Sequence, residues 1–199
     1  MKGEPDAEEY AFKVQSLSRL EVLSQQGVID LFYGDECGVS LRGYVPYGWQ
    51  FLGEEVSIPS ISGNAVNCFA LFARDNRYFF RTTQETIDAR LLCDYLDQFS
   101  HTLLRETVVV LDNASVHQRE VKKRRAAWAA KGLSIFFLPV YSPELNIAEI
   151  LWRKLKYEWL QPGDYEEKQL LCYRVWQCLA AVGRQLRIAF KPFDKSQFV

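Results

Sequence analysis

The sequence predicts a single α/β domain built on a mixed sheet, and three observations lead to this prediction. Strand-like segments that look antiparallel follow an N-terminal helix, and strand–helix units come after them. The β-branched run Thr107–Leu111 is typical of a strand buried on both faces, which implies a parallel neighbour and covering helices. The chain has 199 residues and is 48% hydrophobic, a composition that excludes a disordered or low-complexity protein.

The first half of the chain alternates helical and extended patterns. Apolar residues at helical spacing predict a helix over residues 9–26, which Gly27 ends. A strand is predicted at Val28–Cys37, and further strands at 43–58 and 65–81. The last of these is a hairpin that turns at Asp75 and Asn76.

The second half of the chain reads as strands followed by helices. Thr82 and Glu85 form a capping-box pattern that predicts the start of a helix, and Ser115 with Gln118 forms another. The remaining predicted elements are the strand Thr107–Leu111, a basic helix at Ser115–Lys131, the strand Ser134–Leu138, and helices at 146–160 and 166–190.

Membrane and secreted classes are disfavoured. No apolar run approaches the ~18 residues that a membrane span needs, and the N-terminus is acidic where a secretory signal would be basic. The cysteines are odd in number and form no CxxC pair, which favours buried thiols; they are Cys37, Cys68, Cys93, Cys172 and Cys178. We therefore expect a soluble, cytoplasmic protein with no membrane partner.

The net charge of −1 hides an uneven distribution of charge. Residues 1–36 carry eight acids and three bases, whereas residues 119–158 carry nine bases and four acids. A basic surface is thus confined to the C-terminal half. Its densest run, Lys122–Arg125, is either a surface for a polyanion or the ordinary solvated face of a helix.

Three carboxylates stand at positions where burial and function compete. Asp35 ends the first predicted strand, Asp112 follows the most apolar strand, and Glu149 lies in the first turns of a helix. Sites of α/β sheets lie at the carboxyl ends of parallel strands, and an acid is costly to bury there unpaired. Structural explanations stay open, because Asp112 suits a turn and Glu149 can pair with Arg153 on a helix surface.

Two neighbours of these acids have other expected places. Side chains alternate along a strand, so Glu36 points away from the face that carries Asp35. Trp152 lies on the same predicted helix as Glu149, and we expect it to pack in the core.

If Asp35, Asp112 and Glu149 converge, they form an all-carboxylate cluster that suits Mg²⁺ or Mn²⁺. Two such ions can activate a water or hydroxyl and stabilise the leaving oxygen of a phosphodiester. Nearby bases would hold a nucleic-acid backbone; the candidates are Lys122, Lys123, Arg124, Arg125, Arg153 and Lys156. The chemistry expected from the residues is metal-dependent phosphoryl transfer on a polynucleotide.

Three segments carry a resemblance to a known family. They are GDECGVSL at Gly34–Leu41, VVVLDNASVH at Val108–His117, and LPVYSPELNIAEILWRKLK at Leu138–Lys156. Together they resemble the motifs of DDE transposases of the mariner superfamily, especially its bacterial insertion-sequence branch. The resemblance runs from about residue 28 to 160, and 36 residues separate Asp112 from Glu149, close to the usual gap of the family.

The resemblance implies a ribonuclease H-like fold, in which helices flank a mixed five-stranded sheet. Asp35 would bridge two metal ions, and Asp112 and Glu149 would each complete one site. Asn113 and His117 fall beside the site, where His117 either supports the acids and phosphate or bonds locally at the helix start. Family enzymes hydrolyse DNA at transposon ends, and the freed 3′-hydroxyl then attacks target DNA, typically at a TA dinucleotide.

The chain departs from the family pattern in two ways. Ile147 and Ala148 replace the usual Pro-Ile before the third acid, so a proline helix starter is lost. Relatives usually carry helix-turn-helix modules before the catalytic domain, and only 34 residues precede Asp35. We therefore expect a helical lead-in at 1–27, a catalytic domain at 28–199 and no helix-turn-helix domain. The expected partners are DNA, a separate or missing DNA-binding module, and a second copy in a homodimer of a nucleoid-associated bacterial enzyme.

Two other functional hypotheses stay open. One is a catalytically inactive transposase remnant that acts as a DNA-binding or dimerisation module and need not bind divalent ions. The other is a small-molecule phosphohydrolase that uses Asp112 as its nucleophile. The second leaves the basic helix around Glu149 unexplained.

Overall fold

The structure is a computed structural model that describes residues 6–42, 51–53, 64–113, 115–194 and 196, apart from the side chains of Asn64 and 115–117. The strand expected at 43–58 lies largely outside these residues. None of the helices in the described part is long and apolar enough to cross a membrane.

A mixed five-stranded sheet forms the centre of the fold, as expected of a ribonuclease H-like protein. Its strands lie in the order β3–β2–β1–β4–β5. β1 pairs antiparallel with β2 on one side and parallel with β4 on the other. The strand bounds are Asp30–Ser40 for β1, Asn64–Phe72 for β2, Tyr78–Thr83 for β3, Thr107–Leu111 for β4 and Leu133–Phe137 for β5.

Helices cover both faces of the sheet, so each face buries its own hydrophobic core. α1, α4 and α5 contribute to one core, and α2 and α3 contribute to the other. Val14 and Leu17 place α1 in the first core, so the helical lead-in packs against the sheet. The bounds are Ala7–Gln25 for α1, Ala89–Ser100 for α2, Ser115–Ala129 for α3, Ala148–Lys154 for α4 and Lys168–Ala181 for α5.

Strand alternation along β1 follows the pattern expected from the sequence. Leu31 and Tyr33 lie in the core under α1 and α4, whereas Phe32 lies in the core under α2 and α3. Asp35 lies on the same face of β1 as Leu31 and Tyr33, so its side chain is directed toward α4. The alternation of side chains thus determines which helix contacts the carboxylate.

The hairpin between β2 and β3 turns as predicted, and its turn holds the C-terminal segment. Asn76 adopts a left-handed conformation with φ of 70°. Its buried amide donates to the carbonyl of Ile188 at 2.9 Å and accepts from the amide of the same residue at 2.7 Å. The chain after α5 is thereby fixed against the sheet.

Three predicted helices differ most from the structure. Thr82 and Thr83 belong to β3, and α2 begins at Ala89, where the Asp88 side chain accepts from the amide of Leu91 at 2.8 Å. The helix predicted at 146–160 divides into α4 and a wider π-helical turn at Leu155–Trp159. The helix predicted at 166–190 ends at Ala181.

Candidate active site

Asp35 and Asp112 lie at the edge of the sheet where β1 and β4 separate. The parallel pairing of these strands ends at Tyr33 and Val110, while β1 continues to Ser40 beside β2 alone. Asp35 therefore does not end its strand, as the sequence had suggested, but lies just beyond its pairing with β4. Because both strands run in the same direction, their acids reach the same edge.

The three acids predicted from the sequence line one cavity of about 310 Å³. Asp35 and Asp112 enter it from the sheet, and Glu149 enters it from α4. Two amides and the turn between β5 and α4 complete the wall, through Asn113, Asn146 and residues 138–143. The structure thus brings the three acids together, and their catalytic role remains a prediction.

Two hydrogen bonds hold the Asp35 carboxylate. Its Oδ1 atom accepts from the backbone amide of Glu36 at 2.9 Å, and its Oδ2 atom accepts from the indole Nε1 of Trp152 at 3.0 Å. Trp152 packs in the core as expected and is 4% exposed. Its contact with Asp35 was not predicted, because core packing alone does not reveal where an indole N–H points.

The electrostatic environment disfavours charge on Asp35. Burial, together with the charges of Glu149 and Asp112, raises the pKa of Asp35 from its ordinary 3.8 to about 7, although the two hydrogen bonds act to lower it. A carboxylate beside two other acids in a half-buried cavity favours the approach of positive charge. The cavity therefore has the electrostatic character of a cation site.

Glu36 is half-buried beside these acids but does not line the cavity. Burial, and after it the charges of Asp35 and Asp112, raise the pKa of Glu36 from 4.5 to about 8. The alternation of side chains along β1 accounts for its separate position, as the sequence indicated.

A buried asparagine joins the two elements that carry Asp35 and Glu149. Asn146 is 5% exposed; its amide donates to the carbonyl of Gly34 at 3.0 Å, and its Oδ1 atom accepts from the amide of Ala148 at 3.0 Å. Gly34 precedes Asp35 and Ala148 precedes Glu149, so one side chain ties both acids together through the backbone. It also satisfies a backbone donor at the start of α4, where the proline starter is missing.

The other two predicted neighbours of the site lie where β4 leads into α3. Asn113 lines the cavity, and its side chain accepts a hydrogen bond from the Gln118 amide. The capping contact expected between Ser115 and Gln118 involves the Ser115 side chain, which lies outside the described part. His117 lies in the first turn of α3, and its side chain lies outside the described part.

The predicted DNA-binding residues of α3 are not equivalent. Arg124 pairs with Asp94 at 2.7 Å and also contacts Asp97, so its charge joins α3 to α2. Lys123 pairs with Glu120 on its own helix. Lys122 and Arg125 are exposed.

The two predicted DNA-binding residues beside Glu149 also differ from each other. Arg153 is exposed and lines a groove that adjoins the acid cavity. Lys156 lines the same groove but is half-buried. Burial raises the pKa of the Cys37 thiol, and the charge and hydrogen bond of Lys156 oppose that effect, which places Lys156 against β1.

The donor atoms around the cavity fit hard divalent cations. The cavity offers carboxylate and amide oxygens, and among the side chains that the structure describes neither a cysteine nor a histidine lines it. In their present positions, however, no three His, Cys, Asp or Glu side chains of the described residues form a group that could hold a metal ion. Asp112 and Glu149 are exposed, whereas Asp35 is partly buried.

The raised pKa values predict how stability depends on pH when divalent metal is chelated. The folded protein binds protons more tightly than the unfolded chain at Asp35 and Glu36, with pKa values of about 7 and about 8. Their contribution to stability is full at low pH and is lost as pH rises from about 4 to about 8. We expect the melting temperature in a chelating buffer to fall over this interval.

Thermal unfolding of the wild type and of a double variant, Asp35→Asn with Glu36→Gln, measures this effect. The double variant should show a flatter profile, because neither side chain can ionise. Identical profiles for the two proteins would show that the acids do not titrate in this interval.

A family model described as DDE superfamily endonuclease matches residues 30–172. No curated protein matches the chain.

Several solved structures resemble the chain at low sequence identity. The structure titled "Crystal structure of the Mos1 mariner paired end complex with Mn" is 14% identical in sequence, with a TM-score of 0.48. The alignment covers 91% of this chain and 64% of that protein chain. For "Crystal structure of the Mos1 Strand Transfer Complex" the identity is 12% and the TM-score is 0.46, and the alignment covers 93% of this chain and 61% of that protein chain. The chain therefore spans less than two thirds of the length of these solved proteins.

Proposed function

Because the chain belongs to the DDE superfamily endonuclease family, we propose that it is the catalytic domain of a DNA transposase. Its activity would be metal-dependent cleavage and joining of DNA strands at Asp35, Asp112 and Glu149. The observation that carries this proposal is the convergence of these acids on one cavity, where Asp112 and Glu149 raise the pKa of Asp35.

Asp35, Asp112 and Glu149 would hold two Mg²⁺ or Mn²⁺ ions. Such ions, when bound, activate an attacking oxygen and stabilise a leaving oxygen. In hydrolysis, a water oxygen bonds to phosphorus, the bond from phosphorus to the 3′-oxygen breaks, and one water proton passes to that oxygen. In strand transfer the freed 3′-hydroxyl takes the place of water, so one phosphodiester forms as another breaks.

DNA would reach this site along α4. The acid cavity shares Glu149 with the groove that Arg153 and Lys156 line. That groove shares Arg153 with a third concavity, which the C-terminal segment bounds through Arg187 and Lys191. The third concavity also contains the acids Glu144 and Asp194, but the cations of these concavities outnumber the acids outside the first cavity and suit a phosphate backbone.

Arg153 tests this path by charge reversal. Arg153→Glu should weaken DNA binding and reduce the slope of log affinity against log salt by about one or more, since it removes a phosphate contact and adds repulsion. Fluorescence anisotropy at several salt concentrations, without divalent ions, measures both quantities. Arg90→Glu on α2 is the control, because Arg90 is exposed on the opposite face of the sheet.

Equal slopes for Arg153→Glu and the wild type would remove α4 from the DNA path. A larger change in a Lys122→Glu, Arg125→Glu variant would instead place the DNA along the exposed cations of α3. Arg124 is left out of that variant because its ion pairs hold α3 to α2.

A cleavage assay tests the proposed activity itself. The chain is incubated with supercoiled plasmid and Mn²⁺, and with the same mixture plus a chelator. We expect nicked DNA with 3′-hydroxyl ends only when free Mn²⁺ is present. DNA binding without nicking would favour the inactive remnant over the enzyme. The assay uses plasmid DNA because it requires no knowledge of a transposon-end sequence.

A further inference from the structure

The helix that carries one acid of the cavity also carries a hydrogen-bond donor for another. Trp152 follows Glu149 by three residues in α4, so the two side chains lie on neighbouring positions of one helix face. The indole Nε1 of Trp152 donates to Asp35 Oδ2 at 3.0 Å, and the ring is 4% exposed.

This contact fixes the orientation of the Asp35 carboxylate. The other oxygen, Oδ1, already accepts from the backbone amide of Glu36 at 2.9 Å. With one donor on each oxygen, rotation of the carboxylate breaks at least one hydrogen bond. Each oxygen of an ionised carboxylate accepts about two hydrogen bonds, so acceptor capacity remains on both oxygens for the cavity side.

The chemical nature of the donor also matters. An Arg or Lys at this position would neutralise Asp35 and compete with a divalent cation for it. An indole N–H is a neutral donor, so it orients the carboxylate and leaves its negative charge in place. Trp152 is therefore suited to hold an acid that must bind positive charge.

We propose that Trp152 is a positioning residue that orients Asp35 for divalent-cation binding, so that α4 supplies both the acid Glu149 and the group that aligns its partner. This inference rests on the proposed function. Hydrogen-bond partners of metal ligands typically change metal affinity or activity by about 10- to 100-fold when they are removed.

The test compares two tryptophans that each donate to an aspartate. Trp152→Phe removes the donor to Asp35 and keeps an aromatic ring. Trp128→Phe is the matched control, because the buried Trp128 donates its Nε1 proton to Asp97 between α2 and α3. Both variants lose an indole, but only Trp152→Phe loses a hydrogen bond to an acid that lines the cavity.

Mn²⁺ affinity is measured by isothermal titration calorimetry on the full chain. Trp152→Phe should raise the dissociation constant by about 10- to 100-fold, whereas Trp128→Phe should change it less than about twofold. An unchanged constant in a folded Trp152→Phe variant would overturn the proposal and leave the proposed function standing. Absence of Mn²⁺ binding in the wild type would overturn both.

A second measurement covers the case in which Trp152→Phe fails to fold. The wild type is labelled with ¹⁵N-tryptophan, and its five indole signals are assigned by substituting the other tryptophans one at a time. Mg²⁺ titration should shift the Trp152 signal more than the Trp128 signal, because the acceptor of Trp152 takes up the ion. Equal shifts would contradict the proposal.

Discussion

Asp112→Asn and Glu149→Gln should each abolish Mn²⁺-dependent DNA cleavage, with a loss of about 10³-fold or more. Each substitution removes a negative ligand, and metal ions supply several kcal/mol of transition-state stabilisation, where ~1.4 kcal/mol is tenfold in rate. Asp112 and Glu149 are exposed, so the neutral amides should leave the fold intact. Initial nicking rates and a thermal melt measure activity and folding on the same preparation.

The same loss is expected for Asp35→Asn, and Glu36→Gln is its control. Glu36 is adjacent in sequence and also has a raised pKa, to about 8, but it does not line the cavity. We expect Glu36→Gln to retain cleavage within about tenfold, since it removes no proposed ligand. An equal loss of cleavage in Asp35→Asn and Glu36→Gln would show that Glu36 is as necessary for activity as Asp35, although the two side chains point to opposite faces of β1.

Glu21→Gln should destabilise the protein by about 3 kcal/mol, the largest stability effect that we expect from a single neutral substitution. Glu21 is 3% exposed; it pairs with Arg74 at 2.7 Å and accepts a hydrogen bond from the Tyr33 hydroxyl. The contacts join α1 to β1 and to the turn after β2. The amide would leave the Arg74 charge partly buried without its counter-charge.

Urea unfolding of Glu21→Gln and Glu158→Gln compares a buried with an exposed ion pair. Glu158 pairs with Lys154 at 2.6 Å, with half of the Glu158 side chain exposed. Breaking this exposed pair should cost no more than about 0.5 kcal/mol. Similar losses in both variants would show that Arg74 finds another partner when Glu21 is neutral.

Much of the sheet follows from local sequence. The run Thr107–Leu111 is a parallel strand because its apolar residues suit burial on both faces. The alternation predicted along β1 is observed in the structure, where Leu31 and Tyr33 lie on one face and Phe32 lies on the other. These features depend on the chemistry of neighbouring residues, so the sequence is sufficient to predict them.

Other features depend on contacts between distant residues and could not be predicted. The capping pattern at Thr82 does not start a helix, because this part of the chain pairs as a strand, with Thr83 opposite Asn67. Helix α2 begins later, with Asp88 as its N-cap. In the sequence, Arg124 cannot be distinguished from the other bases of its run. Its ion pair forms with Asp94, which lies on another helix.

The hydrogen bonds that hold Asp35 and its neighbours in place could not be predicted either, because they also join residues that are distant in the sequence. Asn146 bonds to Gly34 across 112 residues, and Trp152 bonds to Asp35 across 117. Neither contact leaves a local pattern in the sequence. Both become visible only when α4 packs against β1.

Calorimetric titration of the chain with Mn²⁺ tests the central claim most directly, because it requires neither DNA nor turnover. The acids of the cavity should produce saturable binding of two ions. Asp35→Asn should abolish that binding, whereas Asp75→Asn, which changes an exposed acid of the β2–β3 turn, should preserve it. Absence of saturable binding in the wild type, or equal binding in Asp35→Asn, would contradict the claim that these acids form a metal-dependent catalytic site.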